Sequence, residues 1–107
     1  MKDKQLYAIH ADICKTLTHP IRLEILDELR DGEKTVSQLV EAMDVAQSTV
    51  SRHLGIMRSN GVLVSRRDGL CIYYRLSSRR ILDAYDQMHQ FALEYLASQS
   101  KLLIQAA

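Results

Sequence analysis

The connection Asp44-Val45-Ala46 constrains this chain more than any other stretch. Before it, Val36, Leu39, Val40 and Met43 recur at helical spacing behind Thr35, a residue suited to an N-cap, which predicts a short helix over Val36–Met43. After it, Val50, Leu54 and Met57, with Ile56 beside them, predict a helix from Gln47 to Ser59. Asn60-Gly61 ends that helix, a pair that tolerates left-handed backbone. Two short amphipathic helices joined by three residues form a helix-turn-helix.

The flanking segments complete the architecture. Leu6, Ile9, Ile13 and Leu17 form one apolar stripe on a helix from about Lys4 to Leu17, which Thr18-His19-Pro20 breaks. Pro20 then suits the first turn of a second helix reaching Leu29, with Ile21, Ile25, Leu26 and Leu29 on one face and Asp31-Gly32 at its end. Past Gly61 the apolar period changes. The β-prone runs 62–67 and 70–76 flank Asp68-Gly69, a strong hairpin signal. Ser77 or Ser78 can cap a last helix running to about Leu103, with a stripe through Ile81, Leu82, Tyr85, Met88, Ala92, Leu96 and Leu103. At 1.5 Å per residue that helix is roughly 40 Å long, more than a small domain needs to cover its own core. The expected fold is mainly α with one β-hairpin (α+β), in the order α-α-α-α-β-β-α. It is a winged helix-turn-helix forming a single domain over 1–107.

Composition narrows the function classes. A chain of 107 residues buries only about two-thirds of its unfolded surface, so a further source of stability such as dimerisation is expected. No apolar run is long enough for a membrane span, and Met1–Leu6 carries three charges and no apolar core, unlike a signal peptide. Two cysteines are too few for a disulfide scaffold, and the chain reads as cytoplasmic. The formal net charge is only +1, but the signs are segregated. Residues 1–45 hold six bases and nine acids, a net of −3; residues 81–107 hold one base and three acids, a net of −2. Residues 46–80 hold seven arginines against Asp68 alone, a net of +6, which is the footprint of a nucleic-acid binder.

The chemistry of that block agrees. In a helix-turn-helix the second helix enters the major groove with its N-terminal residues at base edges. Here those are Gln47, Ser48, Thr49, Ser51, Arg52 and His53, on the face expected to be exposed. Gln pairs with adenine, Arg with guanine, and Ser or Thr reaches bases or phosphates. Arg66 and Arg67 at the hairpin tip are placed to anchor a wing on the backbone or an adjacent minor groove. A winged helix serving as a protein-interaction module is the alternative, which the polar, Ser- and Thr-rich face disfavours. No Gly-rich phosphate loop, paired carboxylates or nucleophile–base spacing points to an enzyme.

Three motifs carry a family resemblance. Thr18-His19-Pro20-Ile21-Arg22-Leu23-Glu24-Ile25-Leu26 resembles the S/T-H-P-x-R-L-x-I-L run of the ArsR/SmtB family of small bacterial repressors. Ala46-Gln47-Ser48-Thr49-Val50-Ser51-Arg52-His53-Leu54 is similar to that family's recognition helix, and Arg67-Asp68-Gly69 with Tyr73-Tyr74-Arg75-Leu76 to its wing. The resemblance covers nearly the whole chain. It implies a homodimer paired through the first and last helices, bound to a palindromic operator in double-stranded DNA and released by an effector.

Many members of the family sense metals, but the well-known ligand positions are not met here. The stretch Thr35–Val40 lacks the Cys-x-Cys of one site, and the last-helix positions of another hold Ser78, Arg80, Phe91 and Glu94, of which only Glu94 is a ligand. No cofactor is implied. Two other groups remain as effector candidates. His10 and Cys14 share a face of the first helix, and His89, next to Met88, is expected to approach them at the dimer interface, a set suited to a metal or metalloid. Cys71 sits in the wing beside arginines, where a reactive thiol would be a redox switch acting directly on DNA contact.

Overall fold

Four of the five helices start where a side chain accepts from a free backbone amide. In the computed structural model, which describes residues 3–106, Asp3 caps α1 (Lys4–Thr16) by accepting from the amides of Gln5 and Leu6 at 3.0 and 3.2 Å. Pro20 opens α2 (Pro20–Glu28), where His19 Nδ1 accepts from the amide of Ile21 at 3.1 Å. A full capping box starts α3 (Val36–Met43): Thr35 Oγ1 accepts from the Gln38 amide at 3.2 Å, and Gln38 Oε1 accepts from the Thr35 amide at 2.9 Å. Asp44, left-handed at φ 55°, ends it. At the end of α4 (Gln47–Ser59), the Gly61 amide donates to the Arg58 carbonyl at 3.0 Å and the Val62 amide to the Met57 carbonyl at 2.9 Å. Gly61 takes the left-handed position at φ 78°, while Asn60 stays at φ −92°.

The hairpin of β2 (Leu63–Asp68) and β3 (Cys71–Leu76) forms as expected, with its turn one residue later. Asp68 pairs with Cys71 in the last rung, so the loop is Gly69-Leu70, not Asp68-Gly69. Gly69 adopts φ 63°, and a two-residue loop that puts glycine first needs that conformation there. A third strand, β1 (Lys34–Thr35), pairs antiparallel with the other edge of β3, giving the order β1-β3-β2. Two residues carry no alternation to read, so only the tertiary pairing reveals it. The last helix, α5 (Arg79–Ala106), starts where Ser78 Oγ accepts from the Arg80 amide at 3.2 Å.

One core joins α2, α3, α4 and the base of the hairpin through Ile25, Leu26, Leu29, Leu39, Met43, Val50, Leu54, Met57, Val62 and Leu63. Onto it α5 docks by its root alone, with Leu82 buried and Ile81 and Tyr85 half-buried. Arg30 clamps the same root, donating to Asp86 at 3.1 and 2.7 Å and to Asp27 at 3.1 Å. Past Tyr85 the helix leaves the body. Its 28 residues span about 42 Å, and the radius of gyration, 16.7 Å, exceeds the roughly 13 Å of a compact chain this size. Met88 and Leu96 of the expected stripe are exposed there, and Leu103 lies outside the described side chains. No helix among the described residues is long and apolar enough to cross a membrane.

Candidate nucleic-acid interface

Val50, Leu54 and Met57 anchor α4 on the core, which leaves Gln47, Ser48, Ser51 and Arg52 exposed on the outer side and Thr49 half-buried at its margin. Ala46 offers no side-chain cap, so the positive end of the helix is open beside these residues. Gly55 continues the strip one turn on. A Cβ added there meets nothing within 4 Å, so no packing inside the chain calls for glycine at that helical position. Sequence reasoning passed over Gly55. Its signal was a glycine in mid-helix, which costs helix stability and lets another backbone come close.

His53 is not on this face. It is 1% exposed, because positions 50, 53, 54 and 57 form one inward stripe. Its Nδ1 accepts from Arg22 Nε at 3.0 Å, and its ring lies 4.5 Å from that of His19. Arg22 also donates to the Thr16 carbonyl at 3.1 Å, and Asn60 Nδ2 to Thr16 Oγ1 at 2.7 Å. These bonds tie the end of α1 and the start of α2 to both the middle and the end of α4. Burial, then the charges of His19, Arg52 and Arg22, lowers the imidazole pKa. With Nδ1 accepting, the proton of the neutral ring sits on Nε2, which has no partner among the described residues. His53 therefore sits on the inner side of α4 and ties that helix to α2 through Arg22, rather than standing on the exposed face.

The two tip arginines also separate. Cross-strand pairing puts Arg67 with Ile72 and Ser65 with Tyr74 on one face, and Arg66 with Tyr73 and Val64 with Arg75 on the other. Arg66 Nε donates to Glu33 Oε2 at 2.8 Å, its Nη2 bonds Glu33 Oε1, and its guanidinium carbon stands 4.5 Å from the Tyr73 ring centre. The hydrogen bond from Arg66 holds the Glu33 carboxyl below the ordinary carboxylate range. This arginine braces the wing against the loop before β1 rather than standing free at its tip. Arg67 is exposed and has no hydrogen-bond or ion-pair partner among the described residues.

The candidate sensing residues fall in different settings. Cys71 is exposed, and Asp68, not an arginine, is its direct cross-strand partner. Cys14 borders a cavity of about 450 Å³ between α1, α2 and α5, walled also by Leu26, Tyr85, Met88 and His89. Cys14, Met88 and His89 thus line one cavity within a single chain, where the expectation set them across the dimer interface, and His10 is not part of the wall. Among the described residues of one chain, no three His, Cys, Asp or Glu side chains group closely enough to hold a metal ion.

Comparison with known proteins adds to this geometry. Residues 19–65, from the cap of α2 into β2, match the sequence profile of the arsR family of bacterial regulatory proteins. The chain is 40% identical over 72 residues to the transcriptional repressor PagR of Bacillus anthracis, covering 66% of this chain and 72% of that one. It is 37% identical over 70 residues to the biofilm growth-associated repressor of Xylella fastidiosa, covering 65% of this chain and 61% of that relative's length. A solved homodimeric winged helix-turn-helix DNA-binding domain from Mycobacterium bovis superposes with a TM-score of 0.79 at 30% identity, over 90% of this chain and 91% of that one.

Proposed function

The chain belongs to the ArsR family of bacterial regulatory proteins, and from that premise we propose that it is a sequence-specific transcriptional repressor, not an enzyme. It works in the cytoplasm, binds a palindromic operator in double-stranded DNA as a homodimer, and lets go when an effector binds. One observation carries the reading. The strip Gln47, Ser48, Ser51 and Arg52 on α4 and the unpartnered Arg67 on the wing lie in the one strongly basic segment of the chain.

Gln47 and Arg52 read base edges in the major groove, where amide and guanidinium each make paired hydrogen bonds to a single base. Ser48, Thr49 and Ser51 grip phosphates and adjoining edges. Arg67 meets backbone or minor groove. Pairing through α1 and the far half of α5 is supported by the apolar side chains both leave uncovered, and by the homodimeric state of the Mycobacterium bovis structure. Such a dimer offers its two α4 helices to major grooves roughly 34 Å apart. The polar character of the α4 strip disfavours a protein-interaction module.

The test compares operator with random duplex at physiological salt; equal affinity removes the repressor reading. Arg52→Ala is expected to weaken operator binding about tenfold or more and to relax base preference at one position. Arg67→Ala is expected to weaken binding to all sequences and to lower the salt slope by about 1.

For the effector, the cavity wall of Cys14, Met88 and His89 supports Cys14 over Cys71 as the sensing thiol. A group reacting or lodging there acts between the helices assigned to pairing. Operator release by thiol oxidants and metalloids, measured on Cys14→Ser and Cys71→Ser, tests this. A response unchanged in Cys14→Ser rejects the assignment.

A further inference from the structure

Ser65 accepts from Arg58 of α4 at 3.3 Å, and Ser65 shares its hairpin face with Arg67 and Ile72. That face therefore adjoins the outer side of α4, whereas the opposite face looks to Glu33. Follow it outward from Leu63 in the core. It runs through Ser65 and Tyr74 to Arg67 and Ile72, about 20 Å along a six-residue ribbon, and ends at the loop Gly69-Leu70. There Leu70 is fully exposed (104%) and Ile72 is 36% exposed. Turn positions ordinarily take Gly, Asn, Asp or Ser, so a leucine that buries nothing of itself is not explained by the turn. The charged residue on that face of the ribbon is Arg67, paired across from Ile72 and without a partner among the described residues.

We infer that the wing tip is a minor-groove wedge. Arg67 enters the groove next to the major groove held by α4, and Leu70, backed by Ile72, presses against a base step at its mouth. This rests on the DNA-binding reading above. A narrow A·T-rich minor groove concentrates negative potential that attracts arginine. Apolar side chains beside it partly unstack flexible steps and bend the duplex away, which brings more protein surface into contact. The operator then carries an A·T-rich, deformable step outside the sequence read by α4. Specificity there comes from groove width and stiffness, without hydrogen bonds to base edges. The seven arginines of residues 46–80 favour a polyanion over an apolar protein partner for this exposed leucine.

The experiment uses duplexes enriched from a random pool by the wild-type protein. Affinity and end-to-end fluorescence transfer, which reports bending, are measured for wild type, Leu70→Ala and Ile72→Ala. Each flank is also probed with 2,6-diaminopurine in place of adenine, which adds an amino group to the minor groove while the major-groove edge stays that of adenine. Leu70→Ala is expected to keep the wild-type melting temperature, lose about tenfold in affinity and reduce the bend. Diaminopurine in the flank is expected to weaken wild type and to have a smaller effect on Leu70→Ala. Wild-type affinity and bend in Leu70→Ala overturn the wedge. So does an equal diaminopurine effect in both proteins, or a change confined to self-association. A wild-type protein that enriches no duplex defeats the repressor reading itself, a failure distinct from these.

Discussion

The middle of the molecule and its two outer helices carry the same kind of apolar spacing and meet opposite fates. In α2, α3 and α4 the stripe residues Ile25, Leu26, Leu39, Val50, Leu54 and Met57 are completely covered by one another. In α1 and the far half of α5, Leu6 (59%), Ile9, Met88, Phe91 and Leu96 (63%) stand open. Helical periodicity says that a face will be buried. It does not say by which chain. The middle closes on itself, and the outer helices leave apolar side chains that no other described residue covers, the face assigned to pairing in the proposed dimer.

That contrast is open to direct attack. Leu26→Ala is expected to have the largest effect, a loss of about 2–5 kcal/mol in urea unfolding, because it removes a fully buried side chain from the core. Leu96→Glu is expected to leave the middle intact and abolish pairing. Sedimentation is then expected to report a monomer whose melting temperature is independent of protein concentration, in contrast to the rise expected of the wild type. A Leu96→Glu protein that stays dimeric breaks the comparison.

The same inside–outside division recurs across α4. Gly55→Ala, on the outer strip, is expected to stabilise the fold by about 0.5–1 kcal/mol while weakening operator binding, since it adds helix propensity where close approach is needed. A stability gain with unchanged DNA affinity would remove Gly55 from the interface. On the inner side, His53 holds a pKa below its ordinary 6.5. The unfolded chain takes up this proton first, so stability is indifferent to His53 above about pH 6.5 and declines as the pH falls below it. Thermal melts between about pH 8 and 5 on wild type and His53→Gln check this, with a shallower slope expected in the variant.

Much of this was legible before any coordinates. The bounds of α3 and α4, the Thr35 cap, the stop before Gly61 and the hairpin follow from local rules, because capping and left-handed backbone are decided within a few residues. What escaped was decided at a distance. Lys34-Thr35 is a strand only because β3 lies alongside. Arg66 is taken up by Glu33, 33 residues away in the chain, so adjacent arginines that look equivalent have different work. His53 lies on the inward stripe of 50, 53, 54 and 57, a spacing present in the sequence, although a polar ring in that helix suits an exposed face equally well.

The clamp from Arg30 to Asp86 makes α5 a long arm on a short hinge. A tilt of about 5° at the root displaces the far end of a 28-residue helix by roughly 4 Å, close to the 3.4 Å step between successive base pairs. In the proposed dimer, the reach between the two α4 helices is then graduated in single base pairs by the angle of that root, which Leu82, Ile81, Tyr85 and the Arg30–Asp86 pair hold together. On that reading, anything that loosens or resets the hinge is expected to change which operators the dimer can span.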